Sequence, residues 1–249
     1  MASAPTELAD GVHRLGDDLV NFYLVEDGGR LTIVDAGLPA HRSQLESYLP
    51  TIGRTLTDVE AVILTHAHID HVGIADGVRR DSGAPVYVHE ADENLARTGK
   101  NHTRDGSLLP YLRHPATWRL LAMFVRSGGA KPPKIAEVTT FGADAGTLDV
   151  PGRPRVIATP GHSPGHVVFH LPERGVVFAG DAICTYNPLT GRRGPQVLPK
   201  AFALSAQQEL ESLSALEPLD AALLLPGHGE PWTDGPPAAV ARAREVGVT

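Results

Sequence analysis

The chain has 249 residues, 42% hydrophobic and 20% charged, which is enough apolar material for a sizeable core and excludes a chain disordered as a whole. A net charge of -7 argues against an electrostatically driven nucleic-acid binder, which needs clustered Lys and Arg to displace counterions. One Cys excludes an intrachain disulfide and a multi-thiolate zinc site, whereas 12 His is a high number for this length.

In chain order, MASAPTELADGVHRLG lacks the basic start and apolar run of a signal peptide, and no stretch reaches the roughly 18 continuous apolar residues of a membrane span. A cytoplasmic protein with no membrane partner is therefore expected. The turn signal Asp27-Gly28-Gly29 precedes a strand at 31–34 that runs into Asp35, so this strand reads as the return arm of a hairpin. A helix at about 40–50 and a strand at 61–64 follow, and the strand runs into LTHAHIDHVG, with His66, His68, Asp70 and His71. From about 90 to 135 the pattern breaks. Within it Thr117–Arg126 reads as a short helix with Trp118, Leu121, Ala122 and Val125 on one stripe, an insertion whose apolar face caps the core. A second reading makes Tyr111, Trp118, Met123 and Phe124 a wall or lid over the active site.

A strand at 155–158 then leads into TPGHSPGH, with His162 and His166. Glu173-Arg174-Gly175 turns the chain into a strand at 176–179 that ends at Asp181. A helix at about 205–217, with Ser205 and Gln208 as a capping box, precedes a strand at 222–225 and His228. The two halves thus repeat one plan: hairpin strand, Asp35 or Asp181, helix, strand, His66 or His228. Alternating strands and helices in two similar halves suggest two packed sheets with helices on the outer faces. The whole of 1–249 reads as one domain with an insertion at about 90–135.

Six of the 12 histidines sit just past strand ends, where loops leave a sheet edge. Residues two apart diverge on a helix, so His66, His68, Asp70 and His71 converge only from an irregular loop. Imidazoles and carboxylates bind zinc and similar ions, and burying so many polar groups without a cation would be costly. Five histidines and two aspartates exceed the needs of one tetrahedral ion and suit two. His13, His41, His89, His102, His114 and His170 read as surface or satisfied core histidines.

The run His66-Ala67-His68-Ile69-Asp70-His71, followed in order by His162, Asp181 and His228, resembles the metallo-β-lactamase superfamily over nearly the whole chain, from Val34-Asp35-Ala36-Gly37 to Pro226-Gly227-His228-Gly229. The resemblance implies an α/β (α+β) fold, a four-layer αβ/βα sandwich of two mixed β-sheets with outer helices. It implies two divalent metal ions, with zinc first and iron or manganese as alternatives. It places His66, His68 and His162 on one ion, Asp70, His71 and His228 on the other, and Asp181 between them. Asp35 would orient the THAHIDH loop, and His166 would stabilise its own loop without binding metal.

The activity implied is hydrolysis of a small-molecule ester, thioester or lactone by a metal-bridging hydroxide, with Asp70 orienting the water and carrying its proton. Asp181 stands where one subclass of β-lactamases has a Cys ligand, and Cys184, three residues on, reads as a small buried hydrophobe. The bridging Asp is similar to that of the glyoxalase II branch. N-acyl-homoserine lactonases share it, although Tyr186 is not at their tyrosine's spacing. So do tRNA-processing phosphodiesterases, which the acidic charge disfavours. Arg192, Arg193 and Lys200 read as a solvated loop, with an anion-binding role as the alternative. Competing functions are a persulfide dioxygenase with one iron on His66, His162 and Asp181, and a β-lactam hydrolase.

Overall fold

Adjacent glycines with positive φ, 56° at Gly28 and 81° at Gly29, let the chain reverse in two residues with the twist a hairpin requires. The structure, a computed structural model, describes residues 4–17, 19–100, 104–128 and 132–248. His102 lies outside them. Seven strands lie side by side in chain order: β1 (Thr6–Ala9), β2 (Val12–Gly16), β3 (Asn21–Asp27), β4 (Arg30–Val34), β5 (Val59–Ile63), β6 (Val86–His89) and β7 (Thr139–Phe141). Pairing is antiparallel from β1 to β4 and parallel from β4 to β7.

A second mixed sheet contains β8 (Arg155–Ala158), β9 (Val167–Leu171), β10 (Val176–Gly180) and, after a short pair β11 (Cys184–Tyr186) and β12 (Arg193–Gln196), β13 (Leu223–Pro226). Strand β10 pairs antiparallel with β9 and parallel with β13, matching the way β4 pairs with β3 and β5. The repeated plan read from the sequence is therefore present in both sheets.

The strands are apolar on both faces, as sheets covered on both sides require. Along β3, Tyr23 and Val25 point between the sheets, while Phe22 and Leu24 pack beneath α1 (Arg42–Tyr48), α2 (Ala75–Ser82) and α3 (Glu93–Thr98). Along β10, Val176 and Phe178 face the same central layer, and Val177 and Ala179 the opposite one. Phe178 is fully buried there, so its truncation to Ala would cost about 3–5 kcal/mol. This gives the four-layer sandwich.

The predicted helix in the insertion forms as α4 (Pro115–Arg126), with Pro115 in its first turn. Its orientation corrects the expectation. Trp118 is 58% exposed and Val125 71%, so the stripe read as core-facing points outward. Thr117 and Leu120 are the buried positions, and Leu120 and Phe124 line a cavity. The helix is apolar on two sides, so its periodicity alone cannot say which side is covered. The remaining α-helices among the described residues are α5 (Ala206–Ser212) and α6 (Gly235–Val246); the Leu213 and Leu216 turn after α5 packs with α6 on the outer face of the second sheet. Ser205 accepts a hydrogen bond from the Gln208 N–H and so caps α5. Among the described residues, no helix is long and apolar enough to cross a membrane.

Candidate metal centre

All the ligand-bearing loops leave strand ends at one edge of the sandwich, and backbone hydrogen bonds tie them together. The Asp35 N–H donates to the Ile63 carbonyl, the Val167 N–H to Thr65, and the Gly227 N–H to Gly180, at 2.7–2.9 Å. Asn21 and Tyr23 on β3 both donate to the Pro226 carbonyl, at 2.9 and 2.7 Å, fixing the loop that carries His228. Gly227 must lack a side chain. A Cβ there would lie 2.4 Å from Asp181 Oδ1 and 2.7 Å from His71 Cε1.

The imidazoles are oriented by their outer nitrogens. Asp35 is buried and held at φ 58°, a backbone region that Asp tolerates better than most residues. It accepts from the Thr65 N–H at 2.8 Å and from the Thr65 hydroxyl, and it takes the Nδ1–H of His71 at 3.0 Å. Because the Thr65 hydroxyl donates to Asp35, its oxygen accepts from His66 Nδ1 at 3.1 Å. His228 Nδ1 donates to the Leu19 carbonyl. These bonds leave Nε2 of His66, His71 and His228 facing the centre, and Nε2 of His66 and of His71 has no hydrogen-bond partner.

Three donor groups result, each with its ligand atoms within 4.8 Å of one another: His66, His68 and His162; Asp70, His71 and His228; and, joining them, His66, His71 and Asp181. His68 Nδ1 lies 2.8 Å from His162 Nε2. Asp181 Oδ1 is 3.5 Å from His71 Nε2, while Oδ2 is 3.3 Å from His162 and from His228 and 3.9 Å from His66. Asp70 is partly exposed at the mouth, 3.5 Å from His228 Nε2. All seven candidate residues are therefore brought to one place.

The electrostatics fit a cation. Burial, reinforced by neighbouring imidazoles, holds His66 and His162 well below the ordinary histidine range, leaving them in the neutral form that binds metal. Burial opposes charge on Asp181, yet His228 and His71 hold its carboxyl well below the usual range. In return Asp181 raises His71 well above its ordinary value and His228 to about 9, against burial. The carboxylates thus hold protons where a metal ion would displace them. Orphaned buried nitrogens and convergent nitrogen and oxygen donors suit divalent ions of the zinc, iron or manganese kind.

His166 stands apart from the donor groups. Its Nε2 accepts from the Asp181 N–H at 3.1 Å and its Nδ1 donates to Thr159 at 2.8 Å, which matches the loop-holding part expected of it. Cys184 is buried with Sγ 3.5 Å from Asp181 Oδ1; burial, then that carboxylate, pushes its thiol well up and keeps it protonated. Tyr186 packs among Leu120 and Leu189.

Two buried carboxyls escaped the motifs. Asp92, just past β6, accepts from Ser163 Oγ at 2.6 Å, the Gly165 N–H at 2.8 Å and the Ala67 N–H at 3.1 Å, clamping the His66 loop to the His162 loop. An acid past a strand end was the available signal, as for Asp35. Glu209 on α5 lies behind His162, with Oε1 3.9 Å from an Nδ1 that has no hydrogen-bond partner. Nothing in the sequence distinguishes it from any helical Glu.

A cavity of about 520 Å³ opens over His68, Asp70, His162, Asp181 and His228. Its walls are Ile69, Leu120, Phe124, Pro188, Leu198 and Phe202, with Arg104 as the one Lys or Arg among the described residues that line it. Arg192, Arg193 and Lys200 are exposed and do not line it.

The model of the metallo-beta-lactamase superfamily matches residues 15–228. Similar curated proteins include the probable metallo-hydrolase YflN of Bacillus subtilis, 27% identical over 93% of this chain and 89% of the relative. Another is the probable metallo-hydrolase YqjP of the same organism, 30% identical over 88% of this chain and 69% of the relative. Among solved structures, a metallo-beta-lactamase family protein of Thermus thermophilus, TTHA1429, is 27% identical, with a TM-score of 0.68 over 95% of this chain and 79% of that one. The subclass B3 enzyme BJP-1 of Bradyrhizobium japonicum, 17% identical with a TM-score of 0.71 over 98% of this chain and 92% of that one, shares the fold. A match spanning both sheets and every histidine loop at the sandwich edge means that the chain belongs to the metallo-beta-lactamase superfamily.

Proposed function

We propose that this metal-dependent hydrolase works with two divalent ions, zinc first among them, on the ester, thioester or lactone of a small molecule. The observation that carries the reading is the pair of donor triplets, His66, His68, His162 and Asp70, His71, His228, that meet across the two oxygens of Asp181. Bound there, such ions lower the pKa of water towards neutrality and polarise a substrate carbonyl. The chain's own residues supply the rest. Asp35, Thr65 and the Leu19 carbonyl fix the imidazole tautomers before any ion arrives, so little rearrangement accompanies binding. Asp70, partly exposed at the cavity floor, is placed to take a proton from water and return it to the leaving group. The apolar walls lower the polarity around the floor, which strengthens the polar contacts there.

A carboxylate at Asp181, with no cysteine in that position, supports a place near the glyoxalase II branch, which shares that carboxylate with the lactonases and the tRNA-processing phosphodiesterases. Elemental analysis of metal-replete protein, with turnover of lactone, thioester, phosphodiester and β-lactam substrates, tests the reading. About two equivalents of zinc and turnover of a lactone or thioester are expected. About one iron per chain, with oxygen consumption on a persulfide, would replace it with dioxygenase chemistry, and turnover of β-lactams alone would replace the substrate class.

A further inference from the structure

We propose that Arg104 is the anion-binding residue of the substrate cavity, and that the substrate is an apolar molecule carrying a carboxylate. The inference rests on the hydrolase reading for the identity of the floor, but on separate observations for the walls. Among the described residues, every lining side chain but one is apolar apart from the histidines and aspartates of the floor. In such pockets a small number of polar groups fixes orientation, and here that group is a guanidinium.

Arg104 makes no ion pair or hydrogen bond with a described residue, although acids outnumber bases in the chain by 29 to 22. The nearby acids of the floor are already engaged: Asp181 by four imidazoles and Asp70 by His228. A free planar fork at the rim of an apolar cavity matches a carboxylate in a way that a neutral ester cannot exploit.

Placement adds a second constraint. Arg104 also borders an adjoining cleft of about 600 Å³, which shares His68, Ile69 and Phe124 with the first and is otherwise lined by apolar side chains such as Leu95 and Pro133. Arg104 thus borders both clefts, which share His68, Ile69 and Phe124. A substrate whose carboxylate sits at Arg104 directs its apolar arm along one cleft and its scissile carbonyl to the floor. The arginines weighed from the sequence, Arg192 and Arg193, have no such position.

The test compares metal-loaded wild type, R104Q and R104K on two esters of equal acyl length, phenyl hexanoate and monophenyl adipate. Arg104 is exposed, so the variants are expected to fold, and thermal melts check this. For R104Q the ratio of kcat/KM for monophenyl adipate over phenyl hexanoate should fall about five- to twentyfold, through KM, with R104K between the two. Raising the salt to about 0.5 M should narrow the difference. An unchanged ratio in R104Q overturns the proposal, whatever the absolute rates. If the wild type hydrolyses neither ester, the hydrolase reading fails on these substrates, and Arg104 is judged by calorimetric binding of 4-phenylbutyrate. A Kd weakened at least fivefold in R104Q supports it, and an unchanged Kd, as for a carboxylate held by metal alone, overturns it.

Discussion

Asp92→Ala is expected to be among the most damaging single changes outside the proposed ligands. The carboxylate is fully buried and accepts three hydrogen bonds, from Ser163 Oγ at 2.6 Å, Gly165 N–H at 2.8 Å and Ala67 N–H at 3.1 Å. Hydrogen bonds to charged groups contribute about 1.5–3 kcal/mol each, and an abandoned buried donor costs about 1–3 kcal/mol. Water entering the vacated space recovers part of this, so a net loss of about 3–5 kcal/mol is expected, or roughly 10 °C in Tm for a chain of this size. All three donors belong to ligand loops, Ala67 to that of His66 and Ser163 and Gly165 to that of His162, so metal affinity should fall about tenfold or more alongside stability. Urea unfolding followed by far-UV circular dichroism gives the first quantity, and competition with a chelator the second. Ser163→Ala removes one donor and should cost about 1–2 kcal/mol, with much of that cost absent in the Asp92→Ala background. A loss below about 1 kcal/mol with wild-type metal affinity in Asp92→Ala would refute the clamp.

Four other outcomes follow from the same geometry. His68→Ala and Asp181→Ala should each reduce kcat by at least about a hundredfold while circular dichroism stays native, and wild-type rates in either would sink the ligand assignment. Gly227→Ala puts a methyl 2.4 Å from Asp181 Oδ1, so metal content after dialysis should drop; full retention would mean that the loop yields freely. Glu209→Leu removes the acceptor facing His162 Nδ1 and should weaken zinc about tenfold in chelator competition. Glu209→Gln, which keeps an oxygen there, should stay within about threefold, and equal affinities for both variants would remove Glu209 from any positioning part. Burial holds the His166 pKa down to about 3 against about 6.5 unfolded, so the unfolded chain binds the extra proton as pH falls. Metal-free protein should therefore lose about 2 kcal/mol between pH 7 and pH 5 from this group, and His166→Gln should flatten that decline in urea titrations.

The strands and histidine loops were legible because each is a local signal: an apolar run, a turn, then metal-ligand side chains past the strand end. What lay beyond reach has non-local causes. Asp92 works through donors 25, 71 and 73 residues away, two of them backbone N–H groups that any residue carries. Glu209 is one face of a short helix whose covering partner only the sheet packing reveals. In α4, Trp118, Leu121 and Val125 make as good a stripe as Thr117, Leu120 and Phe124, so periodicity supplied a helix and left its rotation open. The reading of this segment as a wall over the site holds for Phe124, which lines the cavity, but not for Trp118, which is exposed, and it left out Leu120 and Arg104.

The duplication carries a further lesson about how one plan supplies two different carboxylates. In the first half the left-handed residue past the strand is Asp35 itself, at φ 58°. In the second the left-handed residue is Gly180, the last of β10, at φ 50°, and the acid follows one position later as Asp181. A shift of one residue at a chain reversal redirects a side chain, and the contacts show the result. Asp35 points behind His71 and holds Nδ1, whereas Asp181 points among the Nε2 atoms of four imidazoles. Glycine at 180 is forced as well by space, since a Cβ would lie 2.6 Å from Thr65 Oγ1. The same strand-loop-helix unit thus delivers a residue that orients a ligand in one half and a residue at the centre in the other.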